Sequence, residues 1–323
     1  MLQVAVSIHD EGRREPVHRP VLVREVVHHL RCRPGRTYVD GTLGPGGHAE
    51  AILTSSAPDG RVVGLDLDPD AIQRASARLA AFGERFVAVR SDFRNVDAVL
   101  RDLRTGPVDG ILADLGFSSI QMLTAERGFG FSSEGPLDMR YDRSRGRNAA
   151  DLLAEEDEAS LRRLLLEFGE ERSASRIARA IVRRREKAPL RTTTELAELV
   201  AATVPRRGPV RIHPATKTFQ ALRIAVNGEL DGLDTFVDTA VMSLRRGGRL
   251  AVISFHSLED RIVKHAMRAL ANRCICPPRM PVCGCGRENI VRIVTSKPVT
   301  PSPTERGENP RSRSAKLRVV ERT

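Results

Sequence analysis

Short apolar runs alternate with helical patterns through the first third of the chain. The runs that predict strands are Tyr38–Val39, Val62–Leu67, Arg85–Val89 and Gly110–Leu115. Helical patterns lie between them at residues 69–82 and 95–104, and an amphipathic helix precedes them at residues 21–30. Such alternation of strands and helices predicts a parallel sheet with helices on both faces.

This alternation stops near Ser119, and a second pattern follows. Residues 124–147 are rich in Gly, Ser, Arg and Asp, and helical patterns dominate from about residue 149 to residue 245. Within them, Pro189 ends one helix, and Thr192 with Glu195 forms the capping-box pattern that begins the next. Strand character returns at Leu250–Ser254, Ile290–Thr295 and Lys316–Val320.

Together these patterns predict an α/β protein with a doubly wound, Rossmann-like sheet and an inserted all-helical domain. The sheet domain takes residues 18–122 and 225–323, and the helical insert takes residues 123–224. Residues 1–17 are polar and predict a disordered N-terminal extension.

Composition and charge indicate a soluble protein with a polyanionic partner. Of the 323 residues, 41% are hydrophobic and 29% are charged. No apolar run approaches the roughly 18 residues of a membrane span, and no signal peptide is visible, so we expect a cytoplasmic location and no membrane contact. A net charge of +11 favours nucleic acid as the partner, although abundant arginine could also serve only to solubilise the surface.

A glycine-rich turn at residues 40–48 predicts a site for a nucleotide-like ligand. Asp40 ends an apolar run, and the turn continues through Gly44, Gly46 and Gly47 to His48. Glycines permit positive φ and let backbone N–H groups approach a ligand at a helix N-terminus. The spacing satisfies the loose dinucleotide fingerprint, which is a weak signal by itself.

Acidic residues at the ends of the strands favour S-adenosylmethionine over NAD. Asp66 ends the second strand, where an acid accepts hydrogen bonds from the ribose of either ligand. Asp40 precedes the glycines, where a carboxylate would attract a cationic ligand but repel a pyrophosphate. The third strand ends in Ser91-Asp92-Phe93, a position typical of the adenine site in methyltransferases.

The fourth strand ends in a motif with candidate catalytic residues, Asp114 and Ser118. Methylation of an exocyclic amine requires an acceptor for the amine hydrogens, and Asp114 or a neighbouring carbonyl could provide it. Phe117 could stack on the target base. Alternatively, Asp114 caps a helix and Phe117 belongs to the core.

His256 is a third candidate catalytic residue. It follows the strand at Leu250–Ser254, so we expect it at the same sheet edge as Asp114. There it could bind the target base or relay a proton. Ser257 with Asp260 can equally form a helix cap.

Four of the five cysteines lie close together, at Cys274, Cys276, Cys283 and Cys285. These thiols could enclose zinc, but the usual ligand pairs have two residues between them, whereas these have one. A loop of reduced thiols is the simpler interpretation, so we assign no metal site.

A series of longer motifs occurs in order along the chain, at residues 40–48, 65–69, 114–119, 126–129, 135–140, 169–172, 213–224, 254–261 and 309–318. This series resembles the 16S ribosomal RNA cytosine-N4 methyltransferase family, known as RsmH or MraW. The resemblance runs from His18 to Arg318 and beyond, and it does not include the first sixteen or so residues.

The resemblance implies a fold, a reaction and a cofactor. The family has a class I methyltransferase sheet and uses S-adenosylmethionine to methylate N4 of a cytidine in the decoding region of 16S ribosomal RNA. The expected partner is therefore 16S rRNA within the small ribosomal subunit, and no protein partner is evident. By resemblance, the cofactor residues are Gly46, Gly47, His48, Asp66 at the ribose, Phe93 near the adenine, Asp114 and Gln121.

The resemblance also implies that the helical insert holds RNA. Lys217, Gln220 and Arg223 are spaced three apart and share a helix face. Arginines at residues 140–147 and 176–185 could contact phosphates, although any single one could equally be a solvated charge. Three other functions stay open: a DNA cytosine-N4 or adenine-N6 methyltransferase, an NAD-dependent reductase, and a non-catalytic RNA-binding ribosome assembly factor.

Overall fold

A seven-stranded sheet takes its strands from both the early and the late parts of the chain. The structure, a computed structural model, describes residues 20–117, 121–122, 124–205, 213–273, 276 and 284–323. The predicted extension at residues 1–17 lies outside these ranges. The strands are β1 (Thr37–Asp40), β2 (Arg61–Asp66), β3 (Phe86–Arg90), β4 (Val108–Asp114), β5 (Leu244–Ser254), β6 (Val291–Ile293) and β7 (Lys316–Arg322).

Strand order and direction place a ligand site at one edge of the sheet. The order is β3-β2-β1-β4-β5-β7-β6. Strands β1 to β5 run parallel, and β7 runs antiparallel to both of its neighbours. Because β2 and β4 lie on opposite sides of β1, the chain changes direction across the sheet at this point. Open α/β sheets bind ligands beyond the carboxyl ends of strands at such a switch point.

Helices cover both faces of the sheet because the strands are apolar on both sides. Tyr38 and Val39 are fully buried neighbours in β1, and they belong to two different core clusters. Successive side chains of a strand point to opposite faces, so each face needs its own cover. The covering helices are α1 (Val23–Leu30), α2 (Gly47–Ser55) and α3 (Pro69–Leu79) on one side, and α4 (Val96–Asp102), α10 (Leu233–Ser243) and α11 (Ser257–Ala271) on the other. The predicted doubly wound α/β fold is confirmed.

The segment between β4 and β5 contains helices with a core of their own. They are α5 (Ala149–Glu155), α6 (Glu158–Gly169), α7 (Ala174–Arg185), α8 (Thr193–Thr203) and α9 (Thr216–Asn227). The predicted capping box of Thr192 and Glu195 begins α8. At the contact of α6 with α9, a Cβ on Gly169 would lie 2.7 Å from the carbonyl oxygen of Lys217, so only glycine permits this approach.

Two elements differ from the sequence prediction. The helix predicted over residues 69–82 ends at Leu79, and Gly83 lies beyond it with a φ of 55°. Strand β5 begins at Leu244, earlier than predicted. Its register with β4 shifts between Val108 and Gly110, and this irregularity accommodates Gly247 and Gly248 within the strand. In addition, α12 (Pro303–Glu308) precedes β7. None of the helices in the described ranges combines the length and apolar content that a bilayer crossing requires.

Candidate active site

A cavity of about 350 Å³ opens at the switch point. The sheet side of its wall carries predicted site residues, namely Gly44, Gly47, His48, Asp66, Phe93, Asp114 and Gln121. The side toward the helical segment carries four residues that the sequence did not assign to the cavity: Tyr141, Arg223, Asn227 and Glu229. Ser118 lies outside the described residues. The cavity therefore joins the glycine turn to the helical segment.

Glycines shape the turn between β1 and α2. Gly44 and Gly46 have φ angles of 49° and 83°, a region that other residues rarely adopt. The Gly44 N–H donates to Oδ2 of Asp66 at 2.8 Å, which joins the turn to the end of β2. A Cβ on Gly47 would lie 2.9 Å from the Pro20 side chain. Gly46 does not lie on the cavity wall, because its Cα faces Ala75 of α3.

Two buried carboxyl groups lie at the ends of β1 and β4. The Asp40 side chain is fully buried, and its Oδ1 accepts the Thr42 N–H at 3.3 Å. Oδ2 of Asp40 and Oδ1 of Asp114 are buried without a hydrogen-bond partner in the described structure. Burial raises the pKa of Asp40 to about 7. Burial, with the charges of Asp40 and Glu259, raises the pKa of Asp114 well above its usual range. Asp114 is on the cavity wall, where its unpartnered acceptor suits a cationic or donor-rich ligand, whereas Asp40, predicted to bind the cofactor, is not among the residues of the wall.

Asp40 should contribute stability to the ligand-free protein that is lost as pH rises from about 4 to about 7. Over this window the folded protein keeps a proton on Asp40 that the unfolded chain has released, because burial raises the folded-state pKa from 3.8 to about 7. Asp40→Asn should remove up to about 1.4 kcal/mol per pH unit from this slope. Denaturant unfolding across the window measures it, with the exposed Asp102→Asn as control. Parallel slopes for wild type and Asp40→Asn would contradict the protonation of Asp40.

His48 connects the acids to the segment that precedes α1. Its Nε2 lies 2.8 Å from the Val21 carbonyl oxygen, which can only accept, so Nε2 carries the proton. Its Nδ1 then points toward Oδ2 of Asp114, 3.6 Å away. The imidazole is buried, so its contact is with the Asp114 carboxyl and the chain segment above the turn.

Asp66 lies at the predicted ribose position and is held by backbone groups. Its Oδ1 accepts the Asp68 N–H at 2.9 Å, and Oδ2 accepts the N–H of Gly44. Burial raises the pKa of Asp66 to about 6. Gln121 donates from Nε2 to Oδ2 of Asp68 at 2.8 Å. The Phe93 ring packs edge-on against Phe236 with centroids 4.7 Å apart.

A buried charged network forms the opposite side of the cavity. Arg223 donates to both oxygens of Glu229, from Nε at 2.7 Å and from a terminal nitrogen at 2.9 Å. The Tyr141 hydroxyl donates to the same carboxylate at 2.7 Å. The Arg223 guanidinium lies 4.5 Å from the ring centroid of Phe117, which also stacks on Phe129. Phe117 therefore packs on Phe129 and Arg223 and also lines the cavity, so both the base-stacking and the core interpretations stay open.

His256 begins α11 as its N-cap. Its Nδ1 accepts the Glu259 N–H at 3.5 Å, and the Glu259 carboxylate accepts the backbone N–H groups of Phe255 and His256. The cap predicted at Ser257 and Asp260 is therefore one residue too late, and Asp260 instead pairs with Arg318 at 2.6 Å. His256 is not on the cavity wall, whereas Glu259 is.

The described residues contain one group whose ligand atoms are close enough to hold a metal: Glu229, His256 and Glu259, within 4.8 Å of one another. The guanidinium of Arg223 already engages both oxygens of Glu229, so this group does not suit a cation. Cys274 and Cys283 lie outside the described residues, and neither Cys276 nor Cys285 belongs to such a group. The zinc hypothesis gains no support.

The residues predicted to face RNA on α9 make contacts within the protein. Lys217 Nζ donates to the Glu170 carbonyl at 2.9 Å, and Gln220 Nε2 donates to the Phe168 carbonyl at 3.1 Å. These carbonyls lie at the carboxyl end of α6, where backbone acceptors lack helical partners. Glu229 engages Arg223. The three residues of this helix face, Lys217, Gln220 and Arg223, therefore contact α6 and the charged network.

The strand order, the switch-point cavity and the acids at the ends of β1, β2 and β4 define a Rossmann-like methyltransferase. The model of the MraW methylase family matches residues 15–323, and the chain belongs to this family. It is 52% identical over 306 residues to ribosomal RNA small subunit methyltransferase H of Trichlorobacter lovleyi, covering 94% of this chain and 98% of that protein. It is 53% identical over 309 residues to the protein of the same name from Anaeromyxobacter sp., covering 95% of this chain and 98% of the relative. The family resemblance seen in the sequence is confirmed, and the chain is a methyltransferase.

Proposed function

We propose that this protein transfers a methyl group from S-adenosylmethionine to N4 of a cytidine in the decoding region of 16S ribosomal RNA. The observation that carries the proposal is Oδ1 of Asp114, an acceptor on the cavity wall with no hydrogen-bond partner among the described residues; Oδ2 of Asp40 is also unpartnered but is not on the wall. Two kinds of group suit Oδ1 of Asp114: a cationic methyl donor and the hydrogens of an exocyclic amine. The names of the relatives, which specify small-subunit ribosomal RNA, support the choice of substrate.

The cavity residues fit the cofactor. Asp66 would bind the ribose, Phe93 would contact the adenine, and the glycine turn would approach the methionine portion. Asp40 lies below the turn, where a carboxylate favours a nearby positive charge. When bound, S-adenosylmethionine supplies an electrophilic methyl group on a sulfonium ion.

Asp114 would orient the amine and take its proton. Oδ1 of Asp114 has no hydrogen-bond partner among the described residues, so it can accept an N–H of the target amine. That hydrogen bond would direct the lone pair of the amine nitrogen toward the methyl group. The target nitrogen would gain the methyl group as the bond from that group to the donor sulfur breaks with its electron pair on sulfur. One amine proton would pass to Asp114, whose carboxylate form the positive charge of the bound donor favours. His48, 3.6 Å away, would stabilise the carboxyl in this position.

Several arginines of the helical segment have partners within the protein, which limits the cations that could bind RNA phosphates. Arg140 and Arg143 both form ion pairs with Asp138, and Arg185 donates to the carbonyls of Leu153 and Glu156. Arg176 and Arg183 share a face of α7 and have no side-chain partner within the described ranges. We favour these two arginines as phosphate contacts.

Comparison of ribosomal RNA from cells with and without the gene should reveal one N4-methylcytidine, in 16S rRNA, that depends on the gene. Mass spectrometry of ribonuclease fragments measures it directly. Purified protein with labelled methyl donor should modify small subunits and leave duplex DNA unlabelled. Labelling of DNA would identify a DNA methyltransferase, and no labelling of either would indicate an assembly factor.

A further inference from the structure

Arg311 lies on the cavity wall and has no partner among the described residues. The described residues place three arginines on this wall, of which Arg94 pairs with Asp92 at 2.9 Å and Arg223 with Glu229 at 2.7 Å. Arg311 has neither an ion pair nor a side-chain hydrogen bond within the described structure. Arg311 is exposed to solvent on this wall, and partial burial of its guanidinium lowers its pKa. An anionic ligand would supply the negative charge that the Arg311 guanidinium lacks as a partner.

The segment that carries Arg311 is held in place from several sides. Arg311 belongs to the short 3-10 helix Pro310–Ser314 that leads into β7. Ser312 is fully buried, and its hydroxyl donates to the Asn309 carbonyl at 2.8 Å. In the preceding helix, Glu305 accepts the Leu22 N–H at 2.8 Å. The guanidinium therefore projects from a fixed backbone, which favours specific binding.

This part of the wall lies on the substrate side of the cavity. Strand β7 begins at Lys316, which pairs with Ser254 at the carboxyl end of β5. From β2, which ends in Asp66, β7 is four strand spacings away, or about 19 Å. Asp114 lies between the two positions, at the end of β4. A nucleotide whose base reaches Asp114 from the β5 side would bring its phosphates toward Arg311.

We propose that Arg311 binds a phosphate of the target nucleotide and fixes the nucleotide with its base at Asp114. This inference rests on the proposed function in that the substrate is a nucleic acid. A guanidinium presents a planar set of donors that matches two phosphate oxygens. Enzymes that modify a base take the nucleotide out of its stack, so its phosphate enters the site with it. Ser314, on the same wall, provides a neutral hydrogen-bonding group.

The test compares nucleosides with nucleoside bisphosphates as probes. With the protein saturated in S-adenosylhomocysteine, wild type should bind cytidine 3′,5′-bisphosphate more tightly than cytidine. Arg311→Gln should reduce that preference by about tenfold, as expected for a charged hydrogen bond. Arg313→Gln is the matched control, because Arg313 is exposed on the same 3-10 helix and is not on the cavity wall. It should retain the preference. Calorimetry provides each Kd, and unfolding curves should nearly coincide because Arg311 has no ion pair or side-chain hydrogen bond to lose among the described residues.

The remaining outcomes overturn the proposal. A wild-type protein without preference for the bisphosphate has no phosphate site, and an equal preference in Arg311→Gln places the site elsewhere. Weaker binding of S-adenosylhomocysteine with an unchanged preference would assign Arg311 to the cofactor carboxylate. Adenosine and its bisphosphate, measured in parallel, separate phosphate binding from base choice. A normal phosphate preference combined with no gene-dependent N4-methylcytidine would overturn the proposed reaction and leave the phosphate site in place.

Discussion

Replacement of Asp114 by Asn should reduce methyl transfer by about 10²- to 10⁴-fold, the range for loss of a positioned acid–base group. The carboxylate is expected both to accept an amine hydrogen and to take the proton after transfer, and an amide cannot take that proton. The side chain keeps its shape, and burial with the neighbouring acids already raises the pKa of Asp114, so the neutral amide should not lower stability. Labelled methyl transfer to small subunits measures the effect.

Three measurements make this result specific. Binding of S-adenosylhomocysteine separates loss of cofactor affinity from loss of chemistry. Asp102→Asn, a substitution of an exposed acid, should leave turnover unchanged. Unfolding curves verify that the variant is folded. Near-normal turnover in Asp114→Asn would show that the amine is bound elsewhere and would overturn the site assignment.

Arg223→Met should destabilise the protein by about 3–5 kcal/mol, the cost of leaving one member of a buried ion pair alone. The substitution leaves Glu229, which is 8% exposed, with the Tyr141 hydroxyl as its remaining close donor. It also removes the guanidinium that packs on Phe117. Denaturant unfolding measures the loss.

A second variant distinguishes the ion pair from simple packing. Arg223→Met combined with Glu229→Gln removes both charges and should recover part of the lost stability, because no unpaired charge stays buried. Arg176→Met, on the exposed face of α7, should stay within about 0.5 kcal/mol of wild type. If the double variant is no more stable than Arg223→Met, lost packing rather than the uncompensated charge explains the effect.

Local patterns predicted the sheet and the glycine turn because their causes are local. Tyr38 and Val39 are both apolar because each points into a different core. Gly44 and Gly46 are glycines because the turn requires positive φ at both positions. Each of these constraints acts within a few residues, so it can be recognised in the sequence.

The charged network could not be predicted in the same way. Tyr141 and Glu229 are 88 residues apart, and no spacing rule connects them. The start of α11 shows a different limit. Histidine is an uncommon N-cap, so the usual preferences selected Ser257, whereas the structure uses His256 with Glu259. The ion pairs of the arginines at residues 140–147 likewise depend on tertiary contacts that charge patterns do not encode.

The position of β7 sets an order of assembly for the site. Among the described strands, β7 is the last to be synthesised, yet it lies between β5 and β6 in the sheet. Until residues 316–322 have left the ribosome, β5 presents an unpaired edge, and Arg311 has no fixed place beside the cavity. A nascent chain in which the glycine turn and Asp114 have already been synthesised therefore still lacks the part of the cavity wall that carries Arg311. The cavity is completed only after β7 has been synthesised, and a chain that stalls before residue 316 exposes an edge that can pair with other strands.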